Sequence, residues 1–371
     1  MSNTNDCSSR ANQVLGNPGL AGRNVRLQAG ELLKVIDLCA ASSAMQHAGH
    51  PSCPTLAFDR VELLVPCCHG DLVHMDSRVV SVGNSTMVIQ VLGRKRDVLS
   101  RRWVFTHEAF ATFVSLGSDR RPALVPDLEV QTAEEEAMRD YVQTRQKQTK
   151  HYQLEQRHRE MHGNMSQEDV TALSTKHRDY ITMKESTIRL RKNFLPRNLN
   201  GIGTIFGGDL LAWMEGAAVL CASNFTRNSN VVTIAMDRVF FKTAIQVHHV
   251  LELTARVVYC RNHTLQVETT VSAILPEWAP DASCDDDDGS RREEGGGRRE
   301  EGPPPPPSSQ TAFSHTGYFT ILNMTDYGHK KPLGVGLDIR GDADAQLAYL
   351  KADHRFRFSL SAVRASFMNV A

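Results

Sequence analysis

The chain carries one sequence pattern twice, in a fixed register. Ala29-Gly-Glu-Leu-Leu-Lys-Val-Ile-Asp-Leu-Cys-Ala resembles Gly207-Gly-Asp-Leu-Leu-Ala-Trp-Met-Glu-Gly-Ala-Ala, which sets Asp37 and Glu215 178 positions apart (215 − 37 = 178). The same spacing carries Asp59-Arg60 onto Asp237-Arg238 and Thr86 onto Thr264. Three separate landmarks in one ungapped register mark a duplication, so the 371 residues are expected to fold as two copies of one unit plus connecting material.

Each copy reads the same way at coarse resolution. A helix of about five turns comes first, near residues 30–47 and 208–225. Alternating, strand-like runs follow at 55–64, 73–82, 87–92 and 102–115, and again at 231–241, 250–260, 264–275 and 311–322. A long helix followed by strands at hairpin spacing is an α+β pattern, with an antiparallel sheet wrapped around a central helix that is apolar on most sides. The expected division is an N-terminal tail (1–19), a first unit (20–130), a charged and partly helical linker (131–186), a second unit (187–335) and a C-terminal extension (336–371). Residues 284–310, with Asp285-Asp-Asp-Asp, a triple glycine and five prolines, are expected as an acidic, Gly/Pro-rich insertion unable to bury enough surface to order itself.

Composition excludes several classes. Net charge is zero and no half of the chain is basic, which argues against a nucleic-acid partner. The apolar stretch near 210–222 is too short to span a bilayer and contains Glu215, and residues 1–10 lack the apolar core of a secretory signal. The eight cysteines form no CxxC pair, as expected for thiols in a reducing compartment, with the cytoplasm as default.

The chemistry is carried by two carboxylates. Asp37 is the only charged residue between Val35 and Met45, and Glu215 the only one between Leu210 and Phe225. A carboxylate in such a helix costs several kcal/mol unless it is paired, hydrogen-bonded or open to a cleft. It reads either as a site or as a buried cap on a backbone amide. Ahead of the second helix stands Asn200-Gly-Ile-Gly-Thr-Ile-Phe-Gly-Gly208, whose glycines permit close approach to a ligand and leave first-turn amides facing partial negative charge.

Asn200, Gly203, Phe206, Gly207, Gly208, Trp213, Met214 and Glu215 together resemble the signature of acyl-CoA thioesterases with two hotdog domains in tandem, particularly the cytosolic acetyl-CoA hydrolase and brown-fat-inducible group. The first copy matches through Ala29-Gly30, Leu32-Leu33-Lys34, Ile36-Asp37 and His47-Ala48-Gly49. The lipid-binding START domain carried by some members has no counterpart in the chain. The resemblance implies two hotdog units side by side, with sites between them and the asparagine of one unit facing the helix carboxylate of the other. By the repeat register Asn200 falls on Gly22 and Gly203 on Val25, with Asn24 two residues away. The site pairing Asn200 with Asp37 is therefore expected to be complete, and that of Glu215 with Asn24 degenerate.

The expected reaction is hydrolysis without a cofactor, coenzyme A being part of the substrate. Asp37 activates water, Gly208 donates its amide to the carbonyl oxygen, and Asn200 orients water or carbonyl. Direct attack by Asp37 to give an anhydride stays open. Gly203, Phe206 and Gly207 line the substrate. Arg60 and Arg238 are candidates for the phosphates, each reading first as an ordinary surface charge, and Ser85, Thr86, His263 and Thr264 for the CoA-proximal hairpins, reading equally as plain turns. Two other functions compete. A hotdog hydratase or dehydratase needs a placed histidine, and the nearest, His47, has Phe225 as its counterpart and reads as structural. A non-catalytic acyl-CoA-binding protein is the other. The resemblance also implies a homotrimer, with no membrane partner.

Overall fold

The central helices stop where the backbone turns left-handed, at Gly49 (φ 76°) for α1 (Ala29–Ala48) and at Arg227 (φ 50°) for α5 (Gly207–Thr226). The computed structural model describes residues 2–3, 8–23, 25–97, 100–162, 165–173, 177–274 and 311–368. The expected insertion, 284–310, lies outside them. In the first copy β1 (Ser2–Asn3) and β2 (Ser9–Val14) precede α1; β3 (Thr55–Phe58), β4 (Val61–Glu62), β5 (Leu72–Val82), β6 (Thr86–Arg96), β7 (Trp103–Val114), β8 (Leu128–Glu129) and α2 (Ala133–His162) follow. After α3 (Gln167–Leu173) the second copy runs β9 (Asp179–Thr182), α4 (Met183–Ser186), β10 (Ile188–Lys192), α5, β11 (Val231–Met236) and β12 (Val239–Phe240). It closes with β13 (Val250–Arg261), β14 (Thr264–Ile274), β15 (Thr311–Asn323), β16 (Val335–Asp338) and α6 (Ala343–Met368).

Two six-stranded antiparallel sheets result, β12-β3-β7-β6-β5-β2 and β10-β13-β14-β15-β11-β4. Each curls around its own long helix, the hotdog arrangement, and the cores merge at the junction. The runs at 55–64 and 231–241, expected as single strands, each break at an Asp-Arg pair. Beyond the break the chain crosses to the other unit: Val61 pairs with Met236, and Val239 with Phe58. Each sheet thus ends on two residues lent by its partner. The β-bulges repeat as well, at Thr55/Ala57 and Thr233/Ala235, at Val79/Ser81 and Val257/Tyr259, and at Gly93/Arg94 and Val271/Ser272.

Three expected boundaries change. The tail, 1–19, contains β2, an edge strand of the first sheet paired along its length with β5. The helix of the linker, α2, and that of the C-terminal extension, α6, are copies of each other. Past β14 the register lengthens, so that Ala111, opposite Phe58, matches Phe319, opposite Met236 (319 − 111 = 208). In that register the Leu116–Pro122 bridge repeats as Met324–Lys330, and the β1–β8 pair as β9–β16. α2 covers the outer face of the first sheet through Val142 against Val80, Val88 and Phe110, with Arg145 4.7 Å above the Phe110 ring. α6 does the same in the second unit, with Arg355 3.5 Å above Tyr318. Nor are the central helices fully wrapped: Leu38 is 59% and Leu220 44% exposed on the face away from the sheets.

The Asp-Arg pairs hold the junction. Arg60 bonds Asp237 and Arg238 lies 3.2 Å from Asp59, reciprocal ion pairs across the units. Asp237 also accepts from Gln266 (2.9 Å), which accepts from Arg355 of α6 (3.0 Å). Val88 stands at the first-copy counterpart of Gln266. Removing Asp237 leaves the Gln266 amide without its acceptor and the Arg60 guanidinium with Glu62 alone (3.0 Å). Asp237→Ala is therefore expected to lower stability by roughly 1–2 kcal/mol more than Asp59→Ala in urea unfolding. Equal losses would show that the Gln266–Arg355 relay contributes nothing.

Candidate functional site

Asp37, on the third turn of α1, is wholly enclosed at 0% exposure. Oδ1 accepts a hydrogen bond from the Thr55 hydroxyl (2.8 Å), and Oδ2 has no hydrogen-bond partner. Oδ2 instead faces the first turn of α5, 3.1 Å from the point where a Cβ on Gly207 would stand. Burial pushes the carboxyl pKa up to about 7; the Thr55 hydroxyl and the Gly208 amide hold it down against that, and Asp209 adds an upward push. The bulge after Thr55 turns its side chain toward the carboxylate.

The second copy repeats the arrangement with the partners exchanged. Glu215 is buried, accepts from Thr233 at 2.5 Å through Oε1, and leaves Oε2 without a partner. Burial raises its pKa, opposed by the Thr233 hydroxyl and the amides of Gly30 and Ala29 at the start of α1. Each helix therefore presents its carboxylate to the N-terminus of the other. That crossing needs backbones in contact: a Cβ on Gly30 would lie 2.7 Å from Cα of Ala212, and one on Gly208 3.0 Å from Cα of Lys34.

Asn200 makes its side-chain hydrogen bonds within its own turn. Its Oδ1 accepts from the amides of Ile202 and Thr204 (both 3.1 Å) and its Nδ2 donates to the Thr204 hydroxyl (2.8 Å). The side chain thus shapes the 200–204 turn, which relies on Gly203 at φ 79°, and Thr55 is the hydrogen-bond partner of Asp37. The turn reaches the first unit, where a Cβ on Gly201 would meet the Pro51 carbonyl at 3.2 Å. Phe206 supplies the residue before α5, its ring against Gly208, so Phe206, Gly207 and Gly208 all border Asp37. Asn24 lies outside the described residues.

Arg60 and Arg238 are engaged in the junction ion pairs and do not stand on the rim as free cations for phosphate. Ser85, Thr86, His263 and Thr264 sit in hairpin turns. The carbonyls of Ser85 and His263 accept from Ser115 and Asn323 (both 2.8 Å), that of Thr86 accepts from Gly83 (2.7 Å), and the Thr264 hydroxyl donates to the Arg261 carbonyl (3.0 Å). His47 bonds the Pro126 carbonyl at 2.9 Å. The site residues absent from the sequence reading are Thr55, Thr233 and Phe241, whose ring reaches within 3.2 Å of the same Cβ point on Gly207. An open groove of about 330 Å3 lies between the helices beside β10, where Lys34 pairs with Asp209 (2.5 Å) and Lys192 lies over Trp213 (5.9 Å).

The sequence pattern of the Thioesterase superfamily matches twice, at residues 29–100 and 202–273. Mouse acyl-coenzyme A thioesterase 11 is 26% identical over 254 residues, covering 68% of this chain and 41% of that protein. Mouse acetyl-coenzyme A thioesterase is 24% identical over 266 residues, 71% of this chain and 46% of that protein. The chain thus spans less than half the length of either. An uncharacterized acyl-CoA thioester hydrolase of Zymomonas mobilis is 30% identical over 116 residues, 31% of this chain and 77% of that protein.

Proposed function

Because the chain belongs to the thioesterase superfamily, we propose that it hydrolyses acyl-CoA thioesters to the free acid and coenzyme A at the Asp37 site. The observation that carries this reading is the enclosed carboxylate with one oxygen pinned by Thr55 and the other turned, without a partner, to the first turn of α5. In the ionised form Asp37 takes a proton from water, and the oxygen of that water bonds to the thioester carbon. The Gly208 amide at the helix N-terminus receives the developing oxyanion. Collapse breaks the carbon–sulfur bond, and the thiolate leaves with the proton Asp37 had taken. No cofactor enters the reaction. Asn200 serves by holding the turn that leads into those amides.

The second site differs in chemistry. Its carboxylate is longer by one methylene, and Ala29 and Gln28 replace Gly207 and Phe206. The reading therefore assigns turnover to Asp37 alone. Free-thiol release from short, medium and long acyl-CoAs is the direct test. Wild type is expected to be active and Glu215→Gln to keep its rate within several-fold, against the roughly 10²–10⁴-fold loss of a missing general base. Folded wild type that binds coenzyme A yet releases no thiol supports the non-catalytic acyl-CoA-binding alternative. Equal losses from the Asp37 and Glu215 variants would place turnover at both sites. The same reading carries assembly as a homotrimer, since among the described residues the outer edges of β2 and β10 and the open helix face have no neighbour. Sedimentation equilibrium reads the mass.

A further inference from the structure

Phe241 stands beside the face of the enclosed Asp37 that meets the first turn of α5. It follows β12 at the unit junction, and its backbone N–H donates to the Leu56 carbonyl (3.0 Å), one residue from Thr55. The ring is half-buried. Its Cζ and Cε1 lie 3.2 and 3.5 Å from the Cβ point on Gly207 that Asp37 Oδ2 approaches from its own side at 3.1 Å. On its far side the ring meets His315 of β15 edge-on, centroids 5.2 Å apart at 76°, and His315 is buried. The aromatic ring is thus wedged between the reacting end of α5 and the interior of the second unit. At the Glu215 site the repeat places Leu63, whose N–H makes the matching bond to the Ile234 carbonyl (2.9 Å).

We infer that Phe241 closes the acyl pocket of the Asp37 site and thereby restricts it to short acyl chains, an inference that rests on the thioesterase reading. The amides of the pantetheine arm need polar partners, and an aromatic ring facing Gly207 offers none. Hydrocarbon next to the thioester carbon loses nothing there. The exposed turn around Gly201 and Gly203 suits the polar arm on the other side. A smaller side chain deepens the pocket toward His315, and each acyl methylene that gains a buried place is worth about four-fold in kcat/KM.

The experiment compares kcat/KM for acetyl-, hexanoyl- and lauroyl-CoA in wild type, Phe241→Ala and Phe241→Trp. The hexanoyl-to-acetyl ratio is expected to rise at least about ten-fold in the alanine variant and to fall in the tryptophan variant. Should the alanine variant not fold, Phe241→Leu, which copies Leu63, carries the same direction with a smaller rise. A ratio that is unchanged in folded, active variants overturns the inference and leaves the thioesterase reading standing. So does a uniform rise in KM at every chain length, which puts the ring on the coenzyme A side. Wild type inert toward all three thioesters removes the thioesterase reading, and this inference with it.

Discussion

Asp37→Asn is expected to lower the rate of acyl-CoA hydrolysis by roughly 10²–10⁴-fold and, at the same time, to make the folded protein more stable above neutral pH. Both effects come from one cause. Burial raises the Asp37 pKa from 3.8 to about 7, so the fold prefers the protonated carboxyl, whereas the reaction needs the ionised one. Below the lower value both folded and unfolded chains hold the proton. Between the two values the unfolded chain ionises while the folded chain keeps its proton, so stability falls as pH rises. Above about 7 the whole penalty is in place, at most roughly 4 kcal/mol for a difference of that size. Asparagine keeps an oxygen for the Thr55 hydroxyl and carries no charge to bury. The melting-temperature gain of the variant over wild type is thus expected to be small near pH 5 and largest near pH 8. Wild-type kcat/KM should rise with pH through a midpoint near 7. A rate that stays flat across that range would exclude Asp37 as the titrating base, and a gain in melting temperature independent of pH would exclude its burial as the source of strain.

The sequence reveals what repeats locally and hides what depends on the partner copy. Both carboxylates, both helices and the glycine pair before α5 are legible because each is a departure from a local pattern: a charge in an apolar helix, or glycines where a helix begins. The exchange of β4 and β12 is not. Alternation continues straight through 55–64, and only hydrogen bonding to the other sheet shows that the chain has changed units. The same blindness made Arg60 and Arg238 look like rim cations, since a reciprocal pair across a pseudo-two-fold leaves no mark on either Asp-Arg dipeptide. Thr55 and Thr233 could have been found. They are identical residues at equal distance after their carboxylates, in the register already in hand. The match between α2 and α6 was hidden for another reason, because the register slips beyond β14 and the matched residues, Phe110 with Tyr318 and Val142 with Leu350, share apolar character rather than identity.

Gly30→Ala and Gly216→Ala are expected to move stability in opposite directions, although both place alanine in a central helix, in the first turn of α1 and midway along α5. Alanine is favoured over glycine there by roughly 1 kcal/mol through helix propensity. At Gly216 that gain stands alone, because the nearest atom to a new Cβ is Oε1 of Gln28, 3.9 Å away. At Gly30 the new Cβ would lie 2.7 Å from Cα, 2.9 Å from O and 3.2 Å from C of Ala212, all backbone of the other helix. No rotamer relieves backbone contact, so the helices must separate, at an overpacking cost of about 1–3 kcal/mol or more. Gly30→Val should exceed the alanine loss, since its branches enlarge the same clash. Stability is only half of the expectation. Gly30 lies two turns before Asp37 on α1, and the contact it makes sets the distance from that carboxylate to the first turn of α5. A shift of about 1 Å at a reacting pair can cost on the order of 10²-fold in rate. The folded fraction of Gly30→Ala should therefore lose kcat more than KM, while Gly216→Ala keeps both and melts higher. If Gly30→Ala proves as stable and as active as Gly216→Ala, the two helices do not cross in backbone contact, and the crossed carboxylate arrangement loses its mechanical basis.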